Sequence, residues 1–320
     1  MKRLLMLMLA ISLIVSGCTS KKDSKETINI LTGIDPIKTF VEKVAGDKVV
    51  VTSLIKEGNS PVISKFTPKQ MTLVEDTDLY FYTGVPAEIN LVEKLPMDNL
   101  ELVDLLDKVA DVYPEIKLYE EHEEDMHHEE HEEDMHHEEH EEDMHHEEHE
   151  EDMHHEGHVH GPVDPHIWLS PKRAIEIVKI ISVELSEIDE ENKEYYEDNA
   201  AKYIEELKLL DKEIKDEITG GNILVFHSSF SYFADDYGIN LISVEENGKK
   251  ASINRIASII EEAKELEIDK VFYQGEFDKS QVQSIADELG VELIEIKALT
   301  GDYINNLRDI KNKIKDKNND

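Results

Sequence analysis

The sequence holds one cysteine in 320 residues, Cys18. That excludes an intrachain disulfide and a thiolate metal cage. Basic residues are scarce: 34 Lys+Arg stand against 73 Asp+Glu, a net charge of −39. So acidic a chain repels phosphate, which argues against nucleic acid as a partner. Long apolar runs are missing too. The 39% hydrophobic content suffices for a globular core and excludes a multi-span membrane protein. Histidine is the exception to this thinness. There are 16, and all but His166 and His227 lie between His122 and His160, which points toward metal chemistry.

The one apolar run is Leu4 to Val15, preceded by Lys2 and Arg3. It is too short for a mature membrane-spanning helix and fits the core of a secretory signal. Val15-Ser16-Gly17-Cys18 places small residues just before the cysteine, like a lipobox, in which cleavage precedes the Cys and the thiol is lipidated. Residues 1–17 are therefore expected to be a signal peptide, Cys18 a lipidation site and 18–26 a polar tether. The plainer alternative is an uncleaved anchor helix with an incidental cysteine. Lipidation implies a location at the outer face of the cell membrane.

From Thr27 onward, short β-rich runs alternate with helical patterns. Strands are expected at 27–31, 48–55, 79–82 and 100–103, and again at 222–226, 240–244, 270–273 and 291–296. Helices are expected at 37–45, from Thr67-Pro68, at 86–95, 228–237, 252–266, 279–289 and 302–315. Such alternation predicts parallel sheets wrapped by helices in two α/β lobes, the first over 27–118 and the second over 222–320. Between them, 161–221 reads as a helical linker. Ser170-Pro171 opens one helix; in the next, Tyr196, Ala200, Tyr203, Leu207, Leu210 and Ile214 repeat at spacings of four and three. A helix of that length could run along both lobes.

Residues 119–160 stand apart. Four copies of EEHEEDMHH fill 120–155, each with five acids, three histidines and no base. Imidazole and carboxylate suit zinc and similar ions. The only apolar side chains in the copies are Met126, Met135, Met144 and Met153, so no core can form and a disordered loop is expected in the absence of metal. His127-His128-Glu129-Glu130-His131 matches a zinc-protease signature, but only because the segment is repetitive, and a catalytic site needs a rigid shell. The loop reads as a metal collector; a solvated linker grown by repeat slippage is the bland alternative.

The body offers few ligands. His166 precedes a helix, and His227 follows an expected strand, at the carboxyl end where α/β sheets place their clefts. Gln274-Gly275-Glu276-Phe277-Asp278 follows another strand, and in an extended segment Glu276 and Asp278 would point the same way.

Several segments together resemble the zinc/manganese family of ABC-transporter substrate-binding lipoproteins. They are Pro36–Val41 with Gly46-Asp47, Gly58 with Phe66-Thr67-Pro68, Asp78–Phe81 with Gly84, Asp164-Pro-His-Ile-Trp-Leu-Ser-Pro171, Phe226–Phe233 with Tyr237-Gly238, and Asp302–Asn306. A His-rich acidic insertion before the D-P-H segment is usual in the zinc-type branch. The resemblance implies two α/β lobes with mostly parallel sheets, joined by a long rigid helix, with one metal in the cleft. It implies His166 and His227 as ligands, with Asp278 the best match for the C-lobe carboxylate and Glu276 the second. One departure stands out. The family usually has a His after the Pro of its G-x-x-P-H segment, whereas Gly58-Asn59-Ser60-Pro61 is followed by Val62. His158 or His160, or water, would then fill that place. The function implied is capture of zinc, or else manganese, and delivery to an ABC permease and its ATPase by a monomeric, non-enzymatic protein. The rival reading is a surface metal buffer or adhesin acting through the repeat.

Overall fold

The computed structural model describes residues 27–62, 65–95, 100–117, 163–245, 251–277 and 279–315. Cys18, the histidine repeat, His158, His160 and Asp278 lie outside the described residues.

The first lobe carries β1 (Ile28–Ile34), β2 (Val49–Ile55), β3 (Leu79–Tyr82) and β4 (Glu101–Asp104) in the order β2-β1-β3-β4, and every named pair is parallel. Buried on both faces, β1 is apolar along most of its length rather than alternating, as a covered parallel strand must be. Helices α1 (Asp35–Ala45), α2 (Pro68–Glu75), α3 (Pro86–Val92) and α4 (Leu105–Ala110) belong to the same lobe. Thr67 caps α2 as expected. Its hydroxyl accepts from Gln70 N, the Gln70 side chain accepts from Thr67 N, and Gln70 Nε2 ties the helix to the Leu54 carbonyl of β2 at 2.8 Å.

The strand expected at 27–31 runs on through Gly33 to Ile34. The reason for the glycine is contact, not a turn. A methyl group built on Gly33 would lie 1.3 Å from Glu88 Oε1, at the foot of α3. Helix α3 also ends at Val92, short of the Leu95 expected, and α4 was not foreseen.

The linker holds α5 (Pro171–Ile188) and α6 (Lys193–Glu217). Ser170 caps α5 by accepting from Arg173 N. All six residues of the expected α6 stripe are buried. At about 1.5 Å per residue, its 25 residues span about 37 Å. Tyr203 of α6 meets Phe40 of α1 with ring centroids 6.0 Å apart.

The second lobe repeats the topology of the first. Its strands β5 (Gly221–Val225), β6 (Ile239–Ser243), β7 (Lys270–Gln274) and β8 (Glu292–Ile296) are ordered β6-β5-β7-β8, again parallel. The helices are α7 (Ser231–Tyr237), α8 (Ile253–Glu265), α9 (Ser280–Leu289) and α10 (Tyr303–Ile314). Lys311 and Arg308 of α10 pair with Glu217 and Glu213 of α6 at 2.7 and 2.8 Å, so one helix contacts both lobes. One continuous core joins the first lobe, α5, α6 and the near side of the second lobe, while a separate cluster fills the far side of the second. Among the described residues no helix is long and apolar enough to cross a membrane.

The residues that flank 118–162 meet. Lys117 and Val163 form an antiparallel bridge, and Asp164 N donates to Ile116 O at 2.8 Å. The Tyr232 hydroxyl locks the junction, donating to Asp164 O and accepting from Ile116 N.

Candidate metal centre

In each sheet the strand order reverses direction between the first and third strands. Ligand crevices open there, beyond the carboxyl ends of the strands. In the second lobe that point lies between β5 and β7. His227 comes two residues after β5, and Gly275-Glu276-Phe277 comes directly after β7. The D-P-H segment brings His166 to the same place, just before the short helical turn Ile167–Leu169 that leads into α5.

The two imidazoles face each other, Nε2 to Nε2, at 3.4 Å, with ring planes 76° apart. Each Nδ1 is held from behind. His166 Nδ1 lies 2.6 Å from Asp164 Oδ1, which also accepts from His166 N at 2.9 Å. His227 Nδ1 lies 2.6 Å from Glu245 Oε2. A carboxylate oxygen accepts, so each Nδ1 carries a hydrogen, and in a neutral ring the Nε2 then turns its lone pair to the cleft. Two lone pairs this close repel unless a cation sits between or beside them. Asp164 is fully buried and His166 is 6% exposed. Burial is the main force drawing the His166 pKa below its ordinary value, and His227 adds to it against Asp164. The ring is thereby kept neutral, the state that binds metal.

Around the pair stand Trp168 and Phe277, whose rings lie 5.1 Å from His166 and 4.8 Å from His227. Buried Gln274 braces the β5 end, donating to His227 O at 3.2 Å and to Ser229 Oγ at 2.6 Å. Pro61 of the first lobe lines the same cleft, as does Glu276. Glu276 is half-buried, and its pKa is raised by burial first and by Glu57 and Glu295 in addition, against hydrogen bonds from its own backbone and that of Gly58. This carboxylate therefore reaches across to the segment that carries Val62. Val62 follows Pro61, half-buried, its N–H donating to Ser60 Oγ at 3.3 Å.

The structure thus brings His166, His227 and Glu276 to one cleft. Asp278 lies outside the described residues, and the residues leading to it do not form an extended segment. Gly275–Phe277 is a turn, closed by Phe277 N donating to Gln274 O at 3.1 Å. Among the described residues no three His, Cys, Asp or Glu side chains already stand at metal-holding distance. Sequence reasoning assigned no role to Asp164, although it sits in the quoted motif, and missed Glu245 altogether. Glu245 carries no local signal, lying 18 residues from His227; only the β5–β6 pairing discloses it.

The family model described as ZnuA, zinc-uptake complex component A, periplasmic, matches residues 30–317. The zinc-binding lipoprotein AdcA of Streptococcus pneumoniae serotype 4 is 28% identical over 305 residues, covering 91% of this chain and 54% of AdcA. The chain thus spans about half the length of that relative. The manganese-binding lipoprotein MntA of Halalkalibacterium halodurans is 24% identical over 299 residues, covering 89% of this chain and 85% of MntA. A crystal structure of ZnuA superposes with a TM-score of 0.72 at 27% identity, covering 90% of this chain and 98% of that one.

Proposed function

This chain belongs to the ZnuA family of zinc-uptake complex component A proteins, and on that premise we propose that it captures a divalent metal between its lobes and delivers it to an ABC permease and its ATPase. Zinc is the first cargo and manganese the second; the relatives above are named for these two metals. The observation that carries the reading is the imidazole pair, with Nε2 atoms 3.4 Å apart and each Nδ1 backed by a carboxylate. Borderline nitrogen donors of this kind suit zinc, and a carboxylate third ligand keeps manganese within range.

In this reading His166 and His227 are two ligands and a C-lobe carboxylate, Asp278 or Glu276, is the third. Val62 offers no donor, so His158, His160 or water takes the fourth place. In this reading the metal is cargo, bound and released with no bond of a substrate made or broken. The repeat at 119–160 and the acidic surface raise the local cation concentration. Lipidation of Cys18 holds the chain, as a monomer, at the outer face of the membrane beside its permease.

Calorimetry on the chain lacking 120–160 tests this. One tight divalent site is expected, weakened more than about tenfold by His227→Ala through the loss of a ligand. A deletion chain without a tight site refutes the cleft and transfers the binding to the repeat, which is the metal-buffer reading. Uptake of radiolabelled zinc, abolished by deleting the gene, tests delivery.

A further inference from the structure

Two carboxylates back the imidazole pair, but they are placed differently. Asp164 belongs to the same short segment as His166, two residues before it. Glu245 comes from a neighbouring strand and is set by the backbone ladder. β6 pairs with β5 in parallel register, Val225 opposite Ser243. The ladder continues past both strand ends, with Val244 N donating to Val225 O and Glu245 N to Phe226 O, each at 2.9 Å. The Ser243 hydroxyl donates to Glu245 O at 2.9 Å and fixes the end of that run. The Glu245 backbone is therefore docked beside Phe226, the residue before His227, and its side chain is 8% exposed. The carboxylate has little freedom to leave Nδ1.

We propose that Glu245 is a positioning residue of the cleft: its carboxylate locks His227 in the tautomer and ring orientation that aim the Nε2 lone pair at the space shared with His166, and so sets the metal affinity. The inference rests on the cleft being the metal site. Without a carboxylate behind it, the His227 ring can carry its hydrogen on Nε2, which then blocks the metal, or turn about its bond to Cβ. The Phe277 ring 4.8 Å away and the edge of His166 limit the turn but do not choose the tautomer. Removing carboxylates that orient ligating histidines typically costs about 10- to 100-fold in metal affinity.

The test uses the full chain and four forms: parent, Glu245→Gln, Glu245→Ala and His227→Ala. Zinc affinity is read by competition with a chelator; the repeat is the same in all four, so differences belong to the cleft. Nitrogen-15 NMR of the metal-free protein reads the His227 tautomer. Expected are a loss of about tenfold in Glu245→Gln, whose amide oxygen can still accept, and about 100-fold in Glu245→Ala. In Glu245→Ala the hydrogen should also move from Nδ1 to Nε2. A purely structural role would lower the melting temperature and leave the tautomer alone. If His227→Ala binds zinc like the parent, the cleft is not the site and both readings fall. If His227→Ala loses affinity while both Glu245 variants stay within twofold of the parent, the cleft stands and the role of Glu245 is refuted. An unchanged tautomer in Glu245→Ala refutes it equally, and should that variant fail to fold, the affinity of Glu245→Gln decides.

Discussion

Replacing Gly33 by alanine sets two effects of opposite sign against each other. Gly33 lies inside β1 in extended backbone, where glycine usually costs about 0.5–1 kcal/mol relative to alanine. On propensity alone Gly33→Ala would stabilise the protein. The contact predicts the reverse. The new methyl would stand 1.3 Å from Glu88 Oε1 and 2.3 Å from Glu88 Cδ. Glu88 cannot swing aside at low cost, because its carboxylate is fully buried and the other oxygen accepts from Thr83 N, Thr83 Oγ1, Gly84 N and Val85 N at 2.9–3.1 Å. Expelling it strands three amides and a hydroxyl, at about 1–3 kcal/mol for each left without a partner. Even with water satisfying half of them, the loss is about 2–6 kcal/mol, a large part of a typical total of about 5–15. Denaturant titration of the metal-free protein measures it. The cycle with Glu88→Ala isolates the contact, since in that background Gly33→Ala should cost nothing or stabilise. A loss below about 1 kcal/mol, or the same loss with Glu88 already removed, would refute the reasoning. Because Ala87 N donates to Pro61 O at 3.0 Å, the variant should also loosen the first-lobe wall of the cleft and weaken zinc binding.

The same carboxyl gives a pH signature. Burial pushes Glu88 up to about 7 in spite of the amides of Thr83, Val85 and Gly84. The folded chain therefore keeps a proton that the unfolded chain releases near 4.5. The stability this confers is complete below that value and disappears as pH rises to about 7, on the order of 3 kcal/mol. Stability curves for Glu88→Gln should lack this slope; parallel curves for parent and variant would rule the shift out. Val62→His should restore the usual G-x-x-P-H donor and tighten zinc binding, most strongly when His158 and His160 are also alanine; an unchanged affinity in both backgrounds would mean that position 62 does not face the metal. A peptide of the repeat should lose zinc between about pH 7 and 5 as its imidazoles protonate near 6.5, whereas the cleft should hold to lower pH because burial keeps His166 neutral. Equal uptake by the peptide at pH 5 and 7.5 would assign its binding to carboxylates.

Where local pattern decides structure, the sequence was readable. The α6 stripe is buried as its spacing implied, and the Thr67 and Ser170 caps form as their positions implied. Scarcity singled out His166 and His227, since a body with two histidines leaves little choice. What escaped depends on distant neighbours. Gly33 is a seat for a side chain 55 residues on, which nothing in its neighbourhood announces. The six residues of α4 are too few to show a period. The turn at Gly275–Phe277 re-aims Glu276 in a way that strand alternation could not anticipate. Glu245 reaches His227 only because β5 and β6 are in parallel register, which nothing in either segment announces.

The meeting of Lys117 with Val163 gives the insertion a fixed address and leaves its length unspecified. The Tyr232 hydroxyl and the Asp164–Ile116 hydrogen bond close the lobe before the repeat begins and after it ends, so His166 is positioned by the junction. The entropy of closing a segment grows only as the logarithm of its length, so gaining or losing one nine-residue copy changes folding stability by about 0.2 kcal/mol. Slippage during replication can then add or remove copies almost unseen by the fold. On the proposed function, repeat number becomes a dial for metal-collecting capacity that natural selection can turn in steps of three imidazoles, while the proposed cleft stays as it is.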